Sequence, residues 1–220
     1  MSTSSKPPIK AVVFDLDGTL IDSLGDLSDS MNLALEHYGF PTHPESSFKT
    51  FVGDGVEMLV RRALPEGTHS DEFVLEVAAK MRAIYADRWT NRTCPYPGVP
   101  ELLIALNERE IPISILSNKP DGPTREITKL LLSAWDFQIV QGAQPDVPIK
   151  PDPTAAIDIA QRLGIPAEEI HYLGDTDTDM KTAVGAGMIA VGVSWGFRDE
   201  SELRAYGANR ILHHPLELLD

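Results

Sequence analysis

Three apolar runs in this sequence stop abruptly on residues that can do chemistry. AVVF gives way to Asp15, Leu16, Asp17, Gly18 and Thr19; ISIL to Ser117, Asn118 and Lys119; HYL to Gly174 and Asp175, with Asp177 and Asp179 close behind. In an open parallel sheet, ligands bind beyond the carboxyl ends of the strands, where strand order switches, so the three runs point at one crevice. Asp15 and Asp17 would share a face if the strand continued, while Gly18 and Thr19 predict a turn just beyond them. Two carboxylates that close can divide the roles of nucleophile and proton carrier. They can also share a hard cation such as Mg²⁺, which takes oxygen ligands. Turn-forming aspartates at a strand end are the plain alternative. Lys150 lies between Pro148 and Pro151, with Pro153 beyond, so its loop is stiff. Ser117 and Asn118 could equally cap the helix that follows.

The elements that must carry these residues alternate. Apolar runs predict strands over Ile9–Phe14, Ile111–Leu116, Phe137–Val140, Ile170–Leu173 and Met188–Val193. Helical periodicity falls between them at Pro100–Asn107, Pro123–Leu132, Pro153–Leu163 and Asp179–Ala186. That order predicts an α/β fold with a doubly wound, mostly parallel sheet. Between Asp22 and Arg88 the alternation stops. Three stretches there (LGDLSDSMNLALEHYGF, SFKTFVGDGVEMLVRRAL and SDEFVLEVAAKMRAIYADRW) have helical apolar spacing and no strand between them. The expected organisation is an α/β core over residues 1–21 and 89–220, with an all-α domain over 22–88 inserted into it. The joins, Leu20–Ser23 and Trp89–Pro97, are the expected hinge.

Composition limits the partners. The 220 residues carry a formal charge of −14, from 19 Lys and Arg against 33 Asp and Glu. An acidic field of that size repels nucleic acid and anionic membrane. No apolar run approaches the length of a membrane span, and the start, MSTSSKPPIK, reads as a short solvated leader. The single cysteine, Cys94, fits a reducing compartment, so a cytoplasmic location is expected. Cys94 itself reads as a small, partly buried hydrophobe. The six histidines, the adjacent His213 and His214 included, show no metal-ligand spacing. Asp177 reads as a turn or cap residue, and Gly185 and Gly187 as packing and helix-exit positions.

VVFDLDGTLIDS resembles the first signature of the haloacid dehalogenase-like hydrolase superfamily. Ser117, Lys150 in IKPDP, and Gly174-Asp175 with Asp179 follow in the superfamily's order. The resemblance spans essentially the whole chain. It implies a Rossmann-like core with a small helical cap. It also implies that Asp15 attacks phosphorus to form an aspartyl-phosphate, while Asp17 protonates the leaving oxygen and then deprotonates water. Mg²⁺ would be held by Asp15, Asp175 and the backbone carbonyl of Asp17, with Asp179 positioning a metal-bound water or assisting directly. Ser117, Asn118 and Lys150 would cradle the phosphoryl oxygens, with Gly18 and Thr19 as further substrate contacts. The four acids and a phosphate dianion outweigh the one lysine, so strict dependence on a divalent cation is expected.

Specificity must come from the inserted helices. TFVGDGVEMLVRRAL is similar to the cap motif of phosphoglycolate phosphatases, which favours a small phosphorylated acid such as 2-phosphoglycolate, with Gly53 and Arg62 as substrate contacts. An amphipathic helix with solvated arginines is the alternative for Arg61 and Arg62. Asp17 disfavours the dehalogenases and phosphonoacetaldehyde hydrolases of the superfamily. Leu27 stands where β-phosphoglucomutases carry a cap histidine, while pyrophosphatases and sugar-phosphate phosphatases stay open. The intact set of acids and lysine favours an enzyme over a non-enzymatic phosphate-binding module. Its partner is expected to be a small phosphorylated metabolite, and the chain a monomer or homodimer.

Overall fold

The computed structural model describes residues 9–67 and 70–220; His69 and the first eight residues of the expected leader lie outside it. The chain runs β1 (Ala11–Phe14), β2 (Ile21–Asp22), α1 (Leu24–His37), α2 (Glu45–Phe51), α3 (Val56–Ala63) and α4 (Asp71–Ala86). It continues through β3 (Cys94–Pro95), α5 (Val99–Glu108), β4 (Ile113–Pro120), α6 (Asp121–Leu131) and β5 (Phe137–Ala143). Then follow α7 (Thr154–Leu163), β6 (Ile170–Gly174), α8 (Asp177–Gly185), β7 (Ile189–Val193), α9 (Glu200–Ala205) and β8 (Arg210–Leu212).

Six strands form one sheet in the order β5-β4-β1-β6-β7-β8, every pair parallel. This is the predicted doubly wound α/β sheet. β1 is buried along its whole length, and its side chains alternate between the two faces of the sheet. Val12 and Phe14 join one apolar cluster; Ala11 and Val13 join the other, with Tyr172, Ile159 and Met180. The chain winds one way from β1 through β4 to β5, then returns to the opposite side of β1 for β6, β7 and β8. The order therefore switches at β1. Phe14 stands level with Ile115 of β4 and Leu173 of β6, so the three strands bring their carboxyl ends to one place.

The helices α1 to α4 all fall between β2 and β3, a two-stranded antiparallel ribbon that pairs Ile21 with Pro95 and Asp22 with Cys94. The middle helical stretch is two helices, parted where Val52 is extended and Gly53 (φ 127°) and Gly55 (φ 85°) take conformations open to glycine. Met31, Leu35, Phe48, Val60, Val77 and Met81 belong to the same apolar cluster as Phe14. Cys94 corrects an expectation: it is exposed, on a two-residue strand paired with the exposed Asp22 rather than packed into the core. Among the described residues no helix is long and apolar enough to cross a membrane.

Candidate active site

Asp15 follows β1 directly, Asp175 follows β6, and Asp179 lies in the first turn of α8. All three are buried, and one carboxylate oxygen from each lies within 4.8 Å of the others. Lys150 Nζ is 2.8 Å from Asp15 Oδ1 and 2.6 Å from Asp179 Oδ1. The second oxygen of Asp179 accepts from the Thr176 hydroxyl at 2.6 Å and from the Thr176 amide at 3.1 Å, a capping box that starts α8. Asp175 accepts from Thr19 Oγ1 at 3.0 Å and from the Phe197 amide at 2.9 Å. Two glycines leave room for it. A Cβ on Gly18 (φ 87°) would fall 2.3 Å from the Asp175 carboxylate, and one on Gly196 would fall 2.3 Å from Asp175 Cβ.

Asp15 and Asp179 share one lysine, and Asp175 lies beside them with no described ion pair to it. Burial, and then Asp179, push the Asp15 carboxyl up to about 7 against the pull of Lys150. Asp175 is raised well above the carboxylate range by burial, then by Asp179 and Asp15. Burial alone would lower Lys150, but Asp15 and Asp179 more than offset it and hold the ammonium charged. The cluster is short of positive charge, and its donors are all oxygen. A hard divalent cation fits both facts.

Asp17 faces away from this cluster. Its Oδ1 accepts from Ser23 Oγ at 2.6 Å, and both its oxygens lie 3.1 Å from Lys119 Nζ. The same ammonium donates to the Tyr85 hydroxyl of α4 at 3.0 Å. Burial would lower Lys119, yet Asp17 and Tyr85 hold it above the ordinary lysine value. Sequence reasoning quoted Lys119 without giving it a role. The signal was its place at the polar end of the ISIL run, two residues after Ser117.

Asp15, Asp17, Ser117, Asn118 and Lys119 form the floor of a cavity of about 370 Å³. Its opposite wall comes from the inserted segment (Leu27, Val52, Gly53, Val56, Leu59, Met81 and Tyr85), with Trp89 at the join. Asn118 does not cap a helix. Its amide nitrogen donates to the carbonyls of Lys150 (3.0 Å) and Gly53 (3.2 Å), and its oxygen accepts from the Lys150 amide at 2.9 Å. Two more side chains tie the Val52–Asp54 segment to the core, and sequence reasoning missed both. Thr178 Oγ1 donates to Asp54 Oδ1 at 2.6 Å, and Arg198 donates to the carbonyls of Lys49 and Val52.

Three expected substrate contacts are placed elsewhere. Arg62 does not line the cavity; it pairs with Asp54 Oδ2 at 2.5 Å and donates to the Phe51 carbonyl at 3.0 Å, so its fork closes the loop between α2 and α3. Gly18 and Thr19 stand behind Asp175, one making space for it and the other bonding it, and neither lines the cavity. Gly53 does line it. Asp177 is the first residue of α8, just after the Thr176 cap, and pairs with Lys181 at 2.6 Å.

The profile of the haloacid dehalogenase-like hydrolase family matches residues 12–193. The chain is similar to the phosphoglycolate phosphatase of Chromobacterium violaceum, at 33% identity over 215 residues and 96% of each chain. It is 35% identical over 197 residues to that of Rhodospirillum rubrum, covering 87% of this chain and 82% of the relative. Among solved structures, a Lactobacillus delbrueckii protein provisionally named phosphoglycolate phosphatase superposes with a TM-score of 0.89 at 28% identity, covering 96% of each chain.

Proposed function

The chain belongs to the haloacid dehalogenase-like hydrolases, and from that premise we propose that it is a Mg²⁺-dependent phosphomonoester hydrolase that works through an aspartyl-phosphate on Asp15. One observation carries the reading: Asp15, Asp175 and Asp179 meet beyond the ends of β1 and β6, with Lys150 bridging Asp15 and Asp179. Asp15 is buried at the cavity floor, where one of its oxygens would attack phosphorus as the bond to the leaving oxygen breaks. Asp17, two residues on and also on the floor, would give its proton to that oxygen. In the second half, Asp17 would take a proton from water as the water oxygen attacks phosphorus and the bond to Asp15 breaks, releasing phosphate. Lys150 would counter charge on the transferring group, with the Ser117 hydroxyl and the backbone fixed by Asn118 beside it. Asp15, Asp175, Asp179 and the Asp17 carbonyl would hold Mg²⁺, which when bound supplies charge neutralisation at the phosphoryl oxygens.

Residues 22–88 would act as a cap over the cavity, hinged at the joins marked by the β2–β3 ribbon. The substrate we assign is a small phosphorylated acid, 2-phosphoglycolate first. The names of the relatives support this, as does a cavity near the small end of the 300–1,000 Å³ range common for ligand pockets. Leu27 gives the cavity an aliphatic wall where a mutase would need a proton carrier. Steady-state kinetics on 2-phosphoglycolate, pyrophosphate and several sugar phosphates, with Mg²⁺ and after exhaustive chelation, test the reading. The expected result is phosphate release that needs Mg²⁺ and is most efficient with 2-phosphoglycolate. Full turnover after chelation, or none with any ester, would overturn it.

A further inference from the structure

Two cationic side chains line the cavity. Arg82 is exposed at the rim, whereas the Lys119 side chain is only 7% exposed on the floor. Lys119 touches none of Asp15, Asp175 or Asp179 through a described ion pair; its partner is Asp17, the acid on the leaving-group side. Its ammonium therefore serves the part of the substrate that departs. A general acid works within about 2.6–3.2 Å of the oxygen it protonates, and Lys119 Nζ lies 3.1 Å from both Asp17 oxygens. A carboxylate joined to the leaving oxygen through one carbon falls within about 4 Å of it by covalent geometry, inside that ammonium's reach. Tyr85 Oη accepts from Lys119 and also lines the cavity, so its own O–H can turn towards the same anion. Around this pair the helical wall presents Leu27, Val56, Leu59 and Met81, so that Lys119 is the buried cation of the cavity and Arg82 the exposed one at its rim. A charge entering such a wall is costly unless paired.

We propose that Lys119, with the Tyr85 hydroxyl beside it, is the specificity-determining contact for a carboxylate on the leaving group, so that the preferred substrates are phosphate esters of 2-hydroxy acids. The proposal rests on the phosphatase reading above and transfers to Lys119 the role that sequence reasoning gave to Arg62.

Its test compares 2-phosphoglycolate with ethyl phosphate, which is similar in size and lacks the carboxylate. Wild-type protein should prefer 2-phosphoglycolate in kcat/KM. Lys119→Met should shrink that ratio about 10- to 100-fold, the worth of a hydrogen bond to a charged group. Lys119→Arg should restore part of it, and Tyr85→Phe should lower it by less. Loss of Asp17's partner slows both esters, so the ratio separates recognition from positioning of the acid. An equal fall for both esters in Lys119→Met, or a wild-type protein that hydrolyses both without preference, overturns this proposal and leaves the phosphatase reading standing. A wild-type protein that hydrolyses neither overturns both.

Discussion

The two sides of the cavity are built on different principles. The sheet side is polar and tightly bonded: Asp15, Asp17, Ser117, Lys119, Lys150, Asp175 and Asp179 are locked by buried ion pairs and hydrogen bonds. The helical side presents mostly aliphatic and aromatic residues, and beyond the shared apolar cluster it is tied to the sheet side by Lys119 at Tyr85, by carbonyls accepting from Asn118 and Arg198, and by Thr178 reaching Asp54. Phosphoryl chemistry demands particular groups at particular places, while a wall that shapes a small ligand can be made from ordinary helix faces. Substitutions on the first side should therefore remove turnover, and those on the second should alter how well a substrate is held.

The largest effect is expected at the proposed nucleophile. Asp15→Asn should lower kcat by more than about 10⁴-fold, read by phosphate release, as loss of a covalent nucleophile does elsewhere. A rate within tenfold of wild type would break the division between the two sides. Asp17→Asn should cost about 10²–10⁴-fold in kcat, least for esters with good leaving groups, because a proton is then less needed. On the helical side Arg198→Ala should raise KM about 3- to 10-fold through loss of its carbonyl contacts. Arg62→Met and Asp54→Ala should each raise KM by a similar factor, and the double variant by no more than either alone, because both act through one loop. Additive effects would return Arg62 to the substrate.

The smallest effect is on stability. The Asp15 carboxyl is raised from about 4 to about 7 in the metal-free fold, so over that range the folded chain binds a proton that the unfolded chain has released. Stability is then present at low pH and lost as pH rises through 7. Thermal unfolding in EDTA should fall by several degrees between pH 6 and pH 8. Asp15→Asn should reduce that slope, Asp175 supplying the remainder, and Mg²⁺ should raise the midpoint more at pH 8 than at pH 6. A slope unchanged by the substitution would contradict the assigned origin.

The same contrast decides what the sequence discloses. The sheet side is legible because its acids follow long buried runs and chain order alone brings them together. The strand bounds shift where polar residues stay in the ladder: β4 extends past Leu116 to Pro120 because Lys119 finds Asp17 and Tyr85. β8 and the β2–β3 ribbon, three and two residues per strand, are too short to show a period. The helical side is legible as helices but silent about roles. Arg62 reads as a ligand contact until the turn at Gly53 and Gly55 brings Asp54 onto its guanidinium. Thr19 reads as a phosphate contact until β6 sets Asp175 beside it, 156 residues away.

The central claim is that Asp15 carries the phosphoryl group between substrate and water. Quenching the protein in acid during turnover of 2-phosphoglycolate and mapping its peptides by mass spectrometry tests that directly. The account predicts the added mass of one phosphoryl group on the peptide containing Asp15, lost on base treatment and absent from Asp15→Asn. Turnover with the phosphoryl group trapped on another residue would contradict it.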